Sequence, residues 1–175
     1  SQEFVEALFE WNSNDKKILK DLHIIEDRIA TIPNPLDTDM FSQKLYCKRG
    51  YFNIYYIGRM TKQKGIDIIY RSVLNLSKNK EFKNFNFYFV GNGKEKNYLM
   101  ELDKRFKNCH FLGFKSDVIQ YYHDADIVIA PSLWESYCYS VAEAQSCGVP
   151  TISSDIPGPN KLIVHNVTGL LIQPN

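Results

Sequence analysis

The chain has 175 residues and a formal net charge of +1, with 44% hydrophobic and 23% charged residues. That length supports one domain with a real core, and the near-neutral balance argues against a general nucleic-acid binder, which carries a strongly basic surface. No run of about 18 apolar residues is present to cross a membrane as a helix, and the opening "SQEFVEALFEWNSNDKK" has two early acids and no long apolar region, so it does not read as a secretory signal.

Taken in chain order, "EALFEWNSNDKKILKDL" has a helical pattern, and "RIATIPNPLDTDMF" reads as a short strand followed by a turn. Asn34 precedes Pro35, which forces an extended or turn geometry. Residues 1–50 therefore read as a connector entering the domain, and residues 51–175 as the domain itself. From Tyr51 the chain repeats strand, loop, helix. "YFNIYYI" is strand-like and "GRMTKQKG" is a loop; Ile66, Ile69, Tyr70, Val73, Leu74 and Ser77 then recur at helical spacing. "FNFYFV", "GNGKEK" and "NYLMELDKRF" repeat the sequence of strand, loop and helix. "CHFLG" is a short strand, "SDVIQYYHDA" a helix with Ser116 at its N-cap, and "DIVIAPS" an apolar strand. "SVAEAQSCG" is a helix stopped by Gly148; "PTISS", the short helix "GPNKLIVH" and the strand "GLLIQP" complete the series.

Strands that alternate with helices, several of them apolar throughout, predict a parallel sheet covered on both faces. Ligands of such sheets sit beyond the carboxyl ends of the strands, and every Gly-rich or acidic loop here follows a strand. The four cysteines, Cys47, Cys109, Cys138 and Cys147, show neither C-x-x-C pairing nor a His at ligand spacing, so free thiols in a reducing cytoplasm are expected. No Asp-x-Asp stands at a strand end, since Asp124 and Asp126 straddle a helix-to-strand junction; no metal is expected.

Three of the loops can carry chemistry. In "IGRMTKQKG", Arg59 and Lys64 flank a turn before a helix start, where unpaired N–H groups and two cations suit a diphosphate; taken alone, the loop also reads as solvated surface. In "VGNGKE", Gly91 and Gly93 allow a close backbone approach or simply a tight turn, and Lys96 breaks the dinucleotide pattern G-x-G-x-x-G. In "PSLWESYCYSVAEAQSCGVP", Glu135 lies in the loop and Glu143 eight positions later in the helix. Each carboxylate can accept two hydroxyl hydrogen bonds, as a sugar or ribose offers, or each is an ordinary exposed acid.

Together, "PNPLDTDMF", "IGRMTKQKGIDII", "FVGNGKE", "HFLGF", "DADIVIAPSLWES", "VAEAQSCGVPTISSD" and "VTGLLIQP" resemble the C-terminal, nucleotide-sugar-binding domain of the retaining GT-B glycosyltransferases of the group 1 type, with its E-x7-E motif. The resemblance runs from about Pro33 to the end of the sequence. It implies a Rossmann-like α/β fold, a parallel sheet of about six strands with helices on both faces, forming one half of a GT-B fold. It implies that Arg59 and Lys64 neutralise the donor diphosphate, that Glu135 faces the donor sugar, and that Glu143 binds the ribose. Arg59, Lys64 and Glu135 are thus the expected catalytic residues. Gly58, Gly91, Phe114 beside the base, and the stretch Tyr137, Cys138, Tyr139 and Ser140 would complete donor binding.

The implied reaction is retaining transfer of a hexosyl unit from a nucleotide diphosphate sugar to an acceptor hydroxyl, without cofactor or metal. The acceptor, be it sugar, lipid-linked or protein, would be held by an amino-terminal domain outside this sequence, so this stretch alone is expected to be inactive and to be cut from a longer chain. The resemblance fits a cytoplasmic protein and allows peripheral association of the full-length protein with the cytoplasmic face of a membrane. A non-catalytic nucleotide-sugar module would keep Arg59, Lys64 and Glu143, whereas a sugar-nucleotide epimerase of this architecture would lack the two spaced acids. Two departures from the family pattern stand out: Ser136 and Cys138 replace glycines, and Asn160-Lys161 stands where Pro-Glu is common.

Overall fold

The computed structural model describes residues 8–9, 21–23, 29–30, 34–43 and 50–174. Six strands form one parallel sheet: β3 (Phe52–Ile57), β4 (Phe85–Val90), β5 (Cys109–Gly113), β6 (Ile127–Ala130), β7 (Thr151–Ser154) and β8 (Gly169–Ile172). They lie in the order β5-β4-β3-β6-β7-β8, so the first strand of the sheet sits at its centre beside the fourth. This is the doubly wound arrangement, and its switch point lies between β3 and β6. A separate two-stranded parallel sheet pairs β1 (Leu8–Phe9) with β2 (Ile29–Ala30).

Strand alternation divides the apolar residues between two cores. Tyr56 of β3 and Phe87 and Phe89 of β4 face the helices α1 (Ile66–Leu76) and α2 (Lys96–Arg105), which contribute Ile66, Ile69, Val73, Leu99 and Leu102. Tyr55 and Ile57 face the opposite way, toward Tyr122 of α3 (Ile119–Asp124) and Ala144 of α4 (Tyr139–Ser146). A single turn, α5 (Pro159–Leu162), connects β7 to the last strand. The central apolar strands β3 and β4 are therefore covered on both faces, whereas the edge strand β8 leaves Leu170 and Ile172 exposed.

Three local expectations need correction. Leu8–Phe9 is strand, not helix, because its backbone pairs with Ile29 and Ala30; Asp21 and Leu22 aside, the rest of that expected helix lies outside the described residues, as do Cys47 and Pro33. Ser116 is not a cap: α3 starts later, and the Asp117 carboxylate accepts the Ile119 amide at 3.1 Å. The turn at 37–42, grouped with the connector by sequence, packs into the domain. Phe41 is buried against Tyr122, and its carbonyl accepts the Ser146 hydroxyl at 2.6 Å. Asp124 and Asp126 stay at the amino-terminal edge of the sheet, where Asp126 accepts the Asn53 amide at 2.7 Å and Asp124 accepts the Tyr55 hydroxyl at 2.8 Å.

Candidate functional site

The loops after β3 and β6 meet at the switch point. Gly65 makes the meeting possible. It takes a left-handed conformation (φ 67°) at the start of α1, and a Cβ there would lie 2.0 Å from the Pro131 carbonyl oxygen. Beyond that contact, the Leu133 amide donates to the Gln63 carbonyl at 2.7 Å, and the Gln63 side-chain amide donates to the Trp134 carbonyl at 3.0 Å. Gly65→Ala is expected to cost about 2–3 kcal/mol, combining left-handed strain with overpacking. A urea melt should show a lower midpoint at unchanged slope; an unchanged midpoint would contradict this account of the junction.

With the loops clamped, Lys64 reaches across to Glu135, and its ammonium forms an ion pair with Oε2; each side chain is only 16% exposed. Arg59 projects from the same side after β3 and is exposed, while its carbonyl accepts the Tyr56 hydroxyl at 2.6 Å. Burial, the largest effect, pushes the Tyr56 phenol well above its ordinary pKa, so it remains a donor. Glu143 stands on α4, where its Oε2 accepts the Tyr122 hydroxyl at 2.5 Å.

These residues surround a cavity of about 420 Å³. Gly58, Arg59, Lys64, Glu135, Tyr137, Cys138, Tyr139, Ser140 and Glu143 all line it, so nine expected site residues are brought together. Gly91 and Phe114 are not part of the lining. The open side of Gly91 is filled by the Gly58 carbonyl oxygen, 1.9 Å from where a Cβ would be, so this glycine serves the close approach of the two strand ends. Phe114 is 73% exposed beyond β5.

Sequence reasoning missed Asn34, Tyr56, Val118 and Ser132, which also line the cavity. Asn34 carried a signal in its place before Pro35, which holds the chain extended; Tyr56 and Ser132 carried one in their places at or just beyond strand ends.

The start of α4 is unusual. Cys138, its N-cap, has φ 77° and ψ 76°, a conformation glycine adopts freely and other residues at a cost of roughly 1–2 kcal/mol. Its side chain is buried with Ala130, Val141 and Ile163, which offsets that strain. The loop thus holds the left-handed turn despite losing the expected glycine. Burial raises the Cys138 thiol above its ordinary pKa, more than Ser140 and Lys64 lower it, so the sulfur stays protonated and is a poor nucleophile. The amide N–H groups of Tyr139 and Ser140 lie in the first turn, with no carbonyl inside the helix to bond.

The arrangement offers two cations, helix-start amides and two carboxylates around one cleft at the carboxyl edge of a parallel sheet. Cations and amides suit an anion such as a diphosphate, and the carboxylates suit polyhydroxylated rings. Among the described residues, no helix is long and apolar enough to cross a membrane, and Cys109, Cys138 and Cys147 are free thiols.

The profile of the family described as glycosyl transferases group 1 matches residues 37–175. The chain is 30% identical, over 94% of its length and 46% of the other's, to the Escherichia coli UDP-Gal:alpha-D-GlcNAc-diphosphoundecaprenol alpha-1,3-galactosyltransferase. It is 27% identical, over 91% of its length and 45% of the other's, to the N,N'-diacetylbacillosaminyl-diphospho-undecaprenol alpha-1,3-N-acetylgalactosaminyltransferase of Campylobacter jejuni. It therefore spans about half the length of these relatives. In fold it is similar to the Anabaena protein HepE, solved in complex with UDP and glucose, with a TM-score of 0.75 and 20% identity over 97% of this chain and 50% of that one. A Rickettsia africae glycosyltransferase gives a TM-score of 0.79 and 22% identity, over 97% and 50% of the two chains.

Proposed function

The chain belongs to the glycosyl transferases group 1 family, and on that premise we propose that it is the donor-binding, C-terminal-type domain of a retaining hexosyltransferase that uses a nucleotide diphosphate sugar. One observation carries the reading: Arg59, Lys64, Glu135 and Glu143, from two separate stretches of sequence, line a single cavity at the switch point of the sheet. The donor's diphosphate lies against Arg59, Lys64 and the first amides of α4. As the bond from the anomeric carbon to the diphosphate oxygen breaks, its electron pair moves onto the diphosphate. Lys64, held by its pairing with Glu135, and Arg59 beside it stabilise that charge most strongly in the transition state, which is where stabilisation accelerates the reaction. Glu143 accepts the ribose hydroxyls, and Glu135 accepts hydroxyls of the hexosyl group.

Retention of anomeric configuration follows from the resemblance to the retaining type. Two relatives named for diphosphoundecaprenol substrates support a lipid-linked acceptor. That acceptor would engage the part of the full-length protein that this chain does not span, at the cytoplasmic face of a membrane. The HepE complex with UDP and glucose supports the class of donor.

A thermal-shift screen of UDP-, GDP- and ADP-sugars tests the reading. A ligand at 100 times its dissociation constant stabilises the folded state by about 2.7 kcal/mol, so one base should raise the melting midpoint clearly above the others. Because Arg59 and Lys64 supply positive charge within the cavity, the shift is expected to persist in EDTA. Failure of all three nucleotide sugars would overturn the donor assignment, and a strict requirement for Mg²⁺ or Mn²⁺ would overturn the metal-free account.

A further inference from the structure

We propose that Tyr122 is a positioning residue for donor binding: its hydroxyl holds the Glu143 carboxylate in the orientation that receives the ribose. The inference rests on the reading of the cavity as a nucleotide-sugar site. It concerns a side chain on a different helix, one that does not line the cavity.

Glu143 is the fifth residue of α4, and its side chain has three rotatable bonds. Left alone, it would sample several rotamers, and fixing it on ligand binding would cost side-chain entropy. The Tyr122 hydroxyl removes that freedom by donating to Oε2 at 2.5 Å. Among the described residues Oε1 takes no hydrogen bond, which leaves it to accept from a ligand. A carboxylate pinned through one oxygen presents the other at a defined position, which is the requirement for recognising a pair of ring hydroxyls.

The Tyr122 ring is itself closely enclosed. Tyr122 has 0% exposure, and Phe41 meets its ring edge-on at 5.9 Å with an interplanar angle of 76°. The ring is held from one side by the 37–42 turn and from the other by the sheet, where Val128 and Tyr55 join the same core. Burial, followed by the adjacent Glu143 charge, keeps the phenol far above its ordinary pKa, so the proton to be donated is always present. The bond joins α3 to α4 across 21 residues of sequence.

A buried phenol that merely needs an acceptor would look the same in the structure, but it would affect all ligands alike. The discriminating experiment is calorimetry on the full-length protein with whichever of UDP, GDP or ADP the thermal screen selects, and with its 2′,3′-dideoxy form. Tyr122→Phe keeps the ring and its packing, and near-UV circular dichroism checks that the fold persists. The expected result is a loss of about five- to tenfold for the ribonucleotide, within the range for losing one ordinary hydrogen bond, with the dideoxy affinity unchanged. Glu143→Gln should likewise weaken only the ribonucleotide. If Glu143→Gln discriminates between the two ligands and Tyr122→Phe does not, the positioning role is overturned while the site reading survives. If Glu143→Gln fails to discriminate, Glu143 is not at the ribose and the site reading falls, taking the role of Tyr122 with it.

Discussion

Replacing Lys64 with alanine in the full-length protein is expected to lower kcat by about a hundred- to a thousandfold, the range seen when one group stabilising developing negative charge is removed. Arg59→Ala should act in the same direction. Lys64 is held at the cavity by the end of the short 3-10 turn Lys62–Lys64, by Gly65, and by the backbone bonds from the 131–134 loop. The ammonium therefore does not have to be recruited from solvent when the diphosphate leaves. Binding should separate the two halves of the nucleotide: nucleoside diphosphate affinity should fall by roughly ten- to a hundredfold, as for a lost charge-assisted hydrogen bond, while that of the bare nucleoside holds. Lys62, exposed two residues away and not part of the cavity lining, is the control; Lys62→Ala should leave both affinities unchanged. Equal losses for nucleoside and nucleoside diphosphate in Lys64→Ala would sink the diphosphate assignment.

The parts of this site that were legible in the sequence are those set by local period and by strand order. Apolar runs such as "FNFYFV" and the spacing of Ile66, Ile69 and Val73 report burial directly, and β4 and α1 lie where that pattern puts them. A parallel sheet sends every strand end to one edge, so acids and glycines after strands could be gathered before their contacts were known. What was illegible depends on pairs distant in sequence. Nothing near Leu8 announces that Ile29 will pair with it, so the local helical pattern misleads. Phe41 reads as a turn residue until Tyr122 is seen against it. The partnership of Lys64 with Glu135 spans 71 residues, and that of Tyr122 with Glu143 joins two helices. Sequence could name the charges at the edge but not which charge holds which.

That last point changes what Glu135 is expected to do. Its carboxylate holds the Lys64 ammonium, and both side chains are largely shielded from solvent. An arriving diphosphate must share this ammonium and lies near a negative charge. An intact donor offsets that penalty by giving Glu135 the hydroxyls of its sugar. The product nucleoside diphosphate has no sugar and cannot. On the proposed reading, Glu135 would therefore favour the donor over the product and help the product leave. Glu135→Gln removes the charge and releases Lys64. Nucleoside diphosphate should then bind more tightly, by about 1 kcal/mol or roughly fivefold, taking the upper value for surface ion pairs as the least expected of this shielded one. The intact donor loses its charge-assisted hydroxyl contact, a loss of about 1.5–3 kcal/mol or ten- to a hundredfold that the freed Lys64 only partly offsets. Calorimetry with both ligands, together with initial rates in the full-length protein, reads the two effects separately. They should move in opposite directions, with slower transfer and stronger product inhibition in the variant. If Glu135→Gln weakens nucleoside diphosphate as much as it weakens the donor, the carboxylate is supporting the diphosphate site as a whole, and the proposed discrimination between donor and product is wrong.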